Sequence, residues 1–253
     1  MIWCLGMYSS ASTWTFNVVQ KIVGVLAPTR PVVPVFASDE IPPCDEGSAT
    51  LVVKSHATKV DRAFGRRAEA MVISIRDPRD AIASLMRHNK TPFDLALRVT
   101  EASAATCARF VSRRRSILLR FEDRFFDDPA TVDRIAALFP QELPRSDSQR
   151  IFEELRRDSV DEFIANLDTL ATAETTFDAM TGQWDTYDPA TGWHKHHAGR
   201  VAAIGRWRSD LSEAQAVTIQ RHMQPWMERF GYLAATPRPG KVWFRVGRYE
   251  IVG

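Results

Sequence analysis

Met1-Ile2-Trp3-Cys4-Leu5-Gly6-Met7-Tyr8-Ser9-Ser10-Ala11-Ser12-Thr13-Trp14 decides how this chain folds. Its first five residues read as a buried strand. Gly6 and the small polar residues after it read as a loop, and Trp14 to Leu26 repeats apolar side chains at helical spacing. Strand, small-residue loop, helix is the order of a phosphate-binding unit, in which loop N–H groups and the positive helix end converge on an anion. Ser9 to Thr13 can present N–H groups and hydroxyls around one tetrahedral anion, with Gly6 and Ala11 minimising crowding. An ordinary turn is the competing reading of the same residues. A Walker A loop would need glycine and lysine where Ala11 and Ser12 stand, so the match to a common ATPase or GTPase is poor.

Two more polar clusters follow apolar runs. Lys54-Ser55-His56 comes after Leu51-Val52-Val53, and Arg76 through Ser84 comes after Met71-Val72-Ile73-Ser74-Ile75. As strands of one parallel sheet, these runs gather all three clusters at its carboxyl edge, where open α/β folds bind ligands. Ile117 to Phe121 is a further strand, and 32–37 a short edge strand inside a 28–48 insertion rich in proline. Helix signals alternate with the strands. Arg76-Asp77-Pro78 starts one helix, Thr91-Pro92-Phe93-Asp94 another that runs to about Arg113, and Asp128-Pro129 a third. A helical region over 149–170 restarts at Ser159, where Glu162 completes a capping box, and Ser212 to Gln215 opens the last helix the same way. Residues 175–199 are less periodic, and the tail beyond Pro239 reads as a strand or hairpin. The fold class is α/β: one domain over 1–253, a central mostly parallel sheet flanked by helices, with a P-loop-like nucleotide-binding architecture.

Each cluster has its own chemistry. Lys54 and His56, two apart on an extended segment, point to the same side; a neutral imidazole can take a proton from a hydroxyl while the ammonium stabilises negative charge. Arg76 can bind a phosphate through two parallel hydrogen bonds, and about two helical turns bring the Ser84 hydroxyl toward the same anion. The bland alternatives are a structural histidine, a solvated lysine and an Arg–Asp network.

Composition narrows the classes. A net charge of +2 without a basic stripe argues against a nucleic-acid partner, and Arg113-Arg114-Arg115 suits a helix C-terminus. Cys4, Cys44 and Cys107 are odd in number and match no metal knuckle, so reduced thiols are expected. No basic leader region or membrane-length apolar run is present, which gives a cytoplasmic expectation with no membrane partner. His194, His196 and His197 are densely spaced. No cysteine or repeated ligand pattern accompanies them, so the expectation is acceptor contact or a surface loop and no metal.

Gly6 to Trp14 resembles the donor-binding loop of sulfotransferases that use 3′-phosphoadenosine-5′-phosphosulfate (PAPS). Ser10, Ser12 and Thr13 match its hydroxyl positions and Trp14 an aromatic beside the adenine. Ser9 stands where the family usually has a cation, and Ala11 where it usually has glycine. Val53-Lys54-Ser55-His56 resembles the segment carrying the catalytic histidine. Ile75 to Ser84 resembles the 3′-phosphate segment, with Arg76 and Ser84 on its contact positions. Leu119 to Asp123 resembles a further strand end, with Phe121 at an often-tyrosine position near the nucleotide. Glu122 and Asp123 are read as orienting Arg or Lys side chains. His197 to Trp207 is similar to the family's cover over the donor, within a 194–210 segment. Arg200 falls on its first basic position, and Gly205 and Trp207 keep the Gly-x-Trp feature; Arg206 and Arg208 are weaker candidates. The likeness spans most of the chain and is patchy over 85–115 and 140–195.

The resemblance implies sulfuryl transfer from PAPS to an acceptor hydroxyl, leaving adenosine 3′,5′-bisphosphate (PAP). His56 would be the base, Lys54 its electrostatic partner, and Ser9, Ser10, Ala11, Ser12, Thr13, Trp14, Arg76, Ser84, Phe121 and Arg200 would bind the donor. The apolar content of 28–48, Met86 to Leu97 and 177–197 favours a small organic alcohol or phenol as acceptor. The insertion or the long helical segment also offers a surface for a partner, a second copy of the chain included. Two other functions stay open. A nucleotide-dependent kinase explains the loop but not the 3′-phosphate pattern, and a noncatalytic nucleotide-binding or assembly protein is favoured by Ser9.

Overall fold

β1 (Ile2–Gly6) is buried along its whole length. Ile2 and Cys4 join one apolar cluster and Trp3 and Leu5 the other, as the two-residue period of a strand requires. A strand covered on both faces belongs at the centre of a parallel sheet. The computed structural model of the chain describes residues 1–36, 48–57, 61–178, 182–197, 203–234, 243–246 and 249–252. After β1 come α1 (Ser12–Leu26), β2 (Val32–Phe36), β3 (Thr50–Ser55), α2 (Asp61–Arg67), β4 (Ala70–Ile75), α3 (Pro78–His88), α4 (Phe93–Phe110) and β5 (Ser116–Arg120). The second half holds α5 (Ala130–Ala136), α6 (Arg145–Glu154), α7 (Arg157–Ala165), β6 (Glu174–Asp178), β7 (Gln183–Tyr187), α8 (Trp207–Asp210), α9 (Glu213–Arg229), β8 (Trp243–Val246) and β9 (Tyr249–Val252).

The main sheet has the order β2-β3-β1-β4-β5, and every pairing in it is parallel. The chain leaves β1 toward β2 and β3, then crosses to β4 and β5, so the strand order reverses beside β1. The crevice outside that strand end is the topological switch point. Register brings the strand ends level: Leu5 lies opposite Ser55 and Gly6 opposite Ser74, while Ile75 lies opposite Arg120. Helices cover both faces. Phe16 and Ile22 of α1, Ile135 of α5 and Ile151 of α6 pack on one; Ile82 of α3, Leu97 of α4 and Met223 of α9 pack on the other.

Several local expectations shift. α1 begins at Ser12, two residues early, because Ala11 turns into the left-handed region and starts the helix there. The 149–170 helical region is broken at Leu155, and α7 is capped at Arg156. Ser159 therefore sits inside α7 with its hydroxyl on the Glu153 carbonyl at 3.0 Å, and the box with Glu162 does not form. Thr91 does not cap α4: Pro92 holds the cap position, and the buried Thr91 hydroxyl has no partner among the described residues. The Ser212–Gln215 box does form. Within the weakly periodic stretch, β6 and β7 pair antiparallel, and beyond Pro239 β8 and β9 do the same. Residues 37–47 of the insertion and 198–202 of the cover segment lie outside the described residues. Cys4 and Cys107 are free and buried. Among the described residues no helix is long and apolar enough to cross a membrane.

Candidate functional site

The loop after β1 owes its shape to Gly6. A Cβ there would stand 2.4 Å from the Ser12 Cβ and 2.7 Å from the Ser74 Oγ, so only glycine lets α1 begin this close to the strand. Ser10 braces the loop from below. Its hydroxyl lies 2.6 Å from the Met7 carbonyl and 2.8 Å from the Ser74 hydroxyl, and its N–H also reaches the Met7 carbonyl, at 3.3 Å. Ser10 thus holds the loop together instead of presenting its hydroxyl to a ligand. Ser9 and Ala11 adopt φ of 58° and 61°, a conformation that costs a residue with a Cβ roughly 1–2 kcal/mol. Such left-handed turns create concave arrays of N–H groups. α1 has no side-chain cap, so the N–H groups of its first turn, Ser12 to Trp14, are left for an external acceptor. Trp14 is 4% exposed; its indole N–H donates to the Leu155 carbonyl at 3.0 Å and its ring packs on Phe125. That bond ties α1 to the break between α6 and α7.

His56 emerges just beyond β3. Its Nδ1 lies 2.8 Å from the Gly6 carbonyl and its ring stacks on Tyr8 at 4.0 Å. A carbonyl can only accept, so Nδ1 carries the proton and Nε2 keeps a lone pair. Burial, reinforced by the Lys54 charge, pushes the imidazole pKa down to about 3, so the ring is neutral near pH 7. Burial also pushes Lys54 down to about 8. Its ammonium sits 5.4 Å from the Phe36 ring centroid and has no carboxylate partner among the described residues.

Arg76 lies at the end of β4, 7% exposed. Its guanidinium donates to the Ser9 carbonyl at 3.0 Å and the Ala203 carbonyl at 2.7 Å, and rests 4.1 Å from the Phe121 ring centroid. Its Nε is buried with no hydrogen-bond partner among the described residues. Burial lowers the Arg76 pKa, which Asp80, Glu122 and Asp77 oppose. Asp77 caps α3 through the Arg79 N–H at 2.9 Å and pairs with the Arg79 side chain at 2.6 Å. Asp80 accepts the Gly205 and Trp207 N–H groups at 2.6 and 2.9 Å, anchoring the cover segment where Gly205 takes φ of 76°. Glu122 was expected to orient a basic side chain. Its charge acts on Arg76, and its oxygens also accept the Asp77 N–H at 2.8 Å and the Tyr232 hydroxyl at 2.7 Å, because β5 ends level with the start of α3.

Ser9 through Trp14, Lys54, His56, Arg76, Ser84 and Phe121 all line one cavity of about 440 Å³. That volume suits one ligand of nucleotide size. Arg200 lies outside the described residues. Of the three segments expected to shape an acceptor pocket, Met86 to Leu97 contributes Arg87, His88 and Asn89, and 177–197 contributes Trp193, His194 and His196. Sequence reasoning missed Tyr8, Arg157 and Asp185. Tyr8 could have been read from its place in the loop; the other two carry no local signal. Asp185, on β7, receives the Nδ1 groups of His194 and His196 on a single oxygen, at 2.7 and 2.5 Å. Burial alone would raise the Asp185 pKa, but these two bonds hold it below the usual carboxylate range.

No family model matches the chain, and no curated protein does. Solved structures do. A retinol dehydratase in complex with androsterone and the inactive cofactor PAP matches with TM-score 0.58 at 15% identity, over 90% of this chain and 80% of that one. Mouse sulfotransferase SULT7A1 complexed with PAP gives 0.60 at 10% identity, over 91% and 85%. Retinol dehydratase in a complex with retinol and PAP gives 0.58 at 14%, over 90% and 81%. The parallel five-stranded sheet flanked by helices is therefore the P-loop-like fold of these sulfotransferase-type structures.

Proposed function

We propose that this chain transfers a sulfuryl group from PAPS to a hydroxyl of a small organic acceptor. One observation carries the reading: the loop at Ser9 to Trp14, the Lys54–His56 pair and the Arg76–Ser84 pair line the same cavity. The residues fit the donor. The uncapped start of α1 and the unpartnered, buried Nε of Arg76 each call for an anionic acceptor. PAPS, when bound, supplies the sulfuryl group already activated on a phosphate. The first-turn N–H groups with the Ser12 and Thr13 hydroxyls hold its 5′ end. Arg76 and Ser84 hold the 3′-phosphate, Trp14 and Phe121 flank the base, and Arg200 adds a cation by resemblance. Lys54 provides charge where Ser9 offers only a hydrogen bond; an anion beside it raises its pKa and holds it protonated. His56 Nε2 receives the acceptor proton, its ring held by the Gly6 carbonyl. The PAP in the three structures described above supports the donor class, and androsterone and retinol support an apolar alcohol as acceptor.

Calorimetric titration with PAP and with ATP, followed by transfer from radiolabelled PAPS to a panel of alcohols and phenols, tests the reading. PAP is expected to bind more tightly than ATP. His56→Asn is expected to lose ~10²–10⁴ in rate while keeping PAP affinity. Tighter ATP binding, or a full rate in His56→Asn, would overturn it. A noncatalytic nucleotide binder is the second reading, favoured by Ser9; it corresponds to PAP binding without transfer to any acceptor.

A further inference from the structure

We propose that Asp185, His194 and His196 form a site for a divalent transition-metal ion, best matched to Zn²⁺, in the wall of the same cavity. One oxygen or nitrogen from each residue lies within 4.8 Å of the other two. Two imidazoles and a carboxylate are a zinc donor set, and three protein ligands leave a fourth tetrahedral position open. His194 and His196 both line the cavity that also holds Lys54 and His56. The side chains are neither sealed nor bathed in solvent: Asp185 is 10% exposed and each histidine 27%.

The framework beneath these ligands is held in place. Tyr187 and His194 form an antiparallel bridge, so the chain folds back along β7 and returns His194 beside Asp185. Asp188 closes the turn between them, accepting the Thr191 N–H at 3.0 Å and hydroxyl at 2.6 Å. Two side chains of α1 fasten it to the domain: Asn17 donates to the Thr191 carbonyl at 2.8 Å and Gln20 to the Ala190 carbonyl at 3.1 Å. His194 stacks on Tyr187 at 5.2 Å. The neighbouring Lys195 pairs with Asp168.

Little movement separates this cluster from a coordinated one. Both Nδ1 groups sit 2.5–2.7 Å from the same Asp185 oxygen. Ligand atoms around a tetrahedral zinc with bonds of ~2.0–2.1 Å stand roughly 3.3 Å apart. An opening of under about 1 Å on each side admits the ion. Coordination through Nδ1 requires that nitrogen to give up its proton, so each ring would hold the ion as its Nε2–H tautomer. His194 and His196 line the cavity, so a water or an oxygen of a bound molecule can reach the ion and complete the coordination. This inference rests on these side chains and not on the donor assignment.

Tag-free protein titrated with Zn²⁺ by calorimetry, and with Co²⁺ by visible absorption, tests it. One equivalent is expected, with a Co²⁺ spectrum of low-coordinate type. Asp185→Asn, His194→Ala and His196→Ala should each weaken binding by more than ~10-fold, the loss that removal of even an outer partner causes. His222→Ala, which removes an exposed histidine paired with Glu101, should leave it unchanged. Should the site variants misfold, histidine-ring NMR of the wild-type chain decides: Zn²⁺ should move the Nδ1 signals of His194 and His196 and not that of His222. No stoichiometric binding, equal loss in His222→Ala, or ring signals unmoved at His194 and His196 would each overturn the proposal.

Discussion

Acidification should destabilise the chain through His56. Its folded pKa is pushed down to about 3 by burial first and Lys54 second, against ~6.5 for a free imidazole. Between those values the unfolded chain binds a proton that the folded chain does not. Stability is therefore intact above pH ~7 and falls as pH drops through 6.5 toward 3. Well inside that window the slope is about 1.4 kcal/mol per pH unit. Moving from pH 7.5 to 5 then removes ~2 kcal/mol, or ~4–8 °C of Tm for a chain of this size. His56→Asn keeps an N–H donor for the Gly6 carbonyl but cannot titrate. Urea unfolding of both proteins at the two pH values isolates the effect, since every other titrating group is common to them. The drop in the variant should be smaller by that ~2 kcal/mol; equal drops in the two proteins would refute the half-buried neutral ring.

Asp80→Ala removes two charge-assisted bonds to Gly205 and Trp207, worth ~1.5–3 kcal/mol each. A loss of ~3 kcal/mol or more is expected in thermal unfolding, with weaker PAP binding by calorimetry, and a loss below ~1 kcal/mol would contradict the anchor. Gly6→Ala forces a Cβ onto Ser12; it should cost ~1–3 kcal/mol and weaken PAP binding more than it weakens the fold. Ala11→Gly relieves the left-handed φ of 61°, a gain of roughly 1–2 kcal/mol offset by ~0.4–1 of unfolded-chain entropy. Its Tm should hold or rise, and a clear fall would argue against that backbone.

The sheet was legible because β1 and β4 are continuous apolar runs ended by distinctive polar clusters. Their loops meet because parallel strands end level, which topology imposes whatever residues lie between. Gly6, Ser9–Trp14, Lys54, His56, Arg76 and Ser84 could be found this way, each being next to a strand end or one short helix away. Ser10 shows the limit: its hydroxyl is a plausible anion ligand in sequence, yet Ser74, 64 residues away, takes it. Glu122 is similar, since its partners come from α3 and from Tyr232. The break at Leu155 was hidden because Trp14 stabilises it from a distance. The β6–β7 pair escaped because its exposed strands lack clean alternation, with Phe177 and Trp184 at 52% and 72% exposure. Asp185 escaped with it.

Arg76 grips carbonyl oxygens contributed 67 positions earlier and 127 later in the chain. Main-chain oxygens survive any change of side chain, so the identities at 9 and 203 can drift while the clasp persists. A change of side chain at 9 therefore leaves the crevice its outline, while the φ of 58° there still limits which residues sit comfortably.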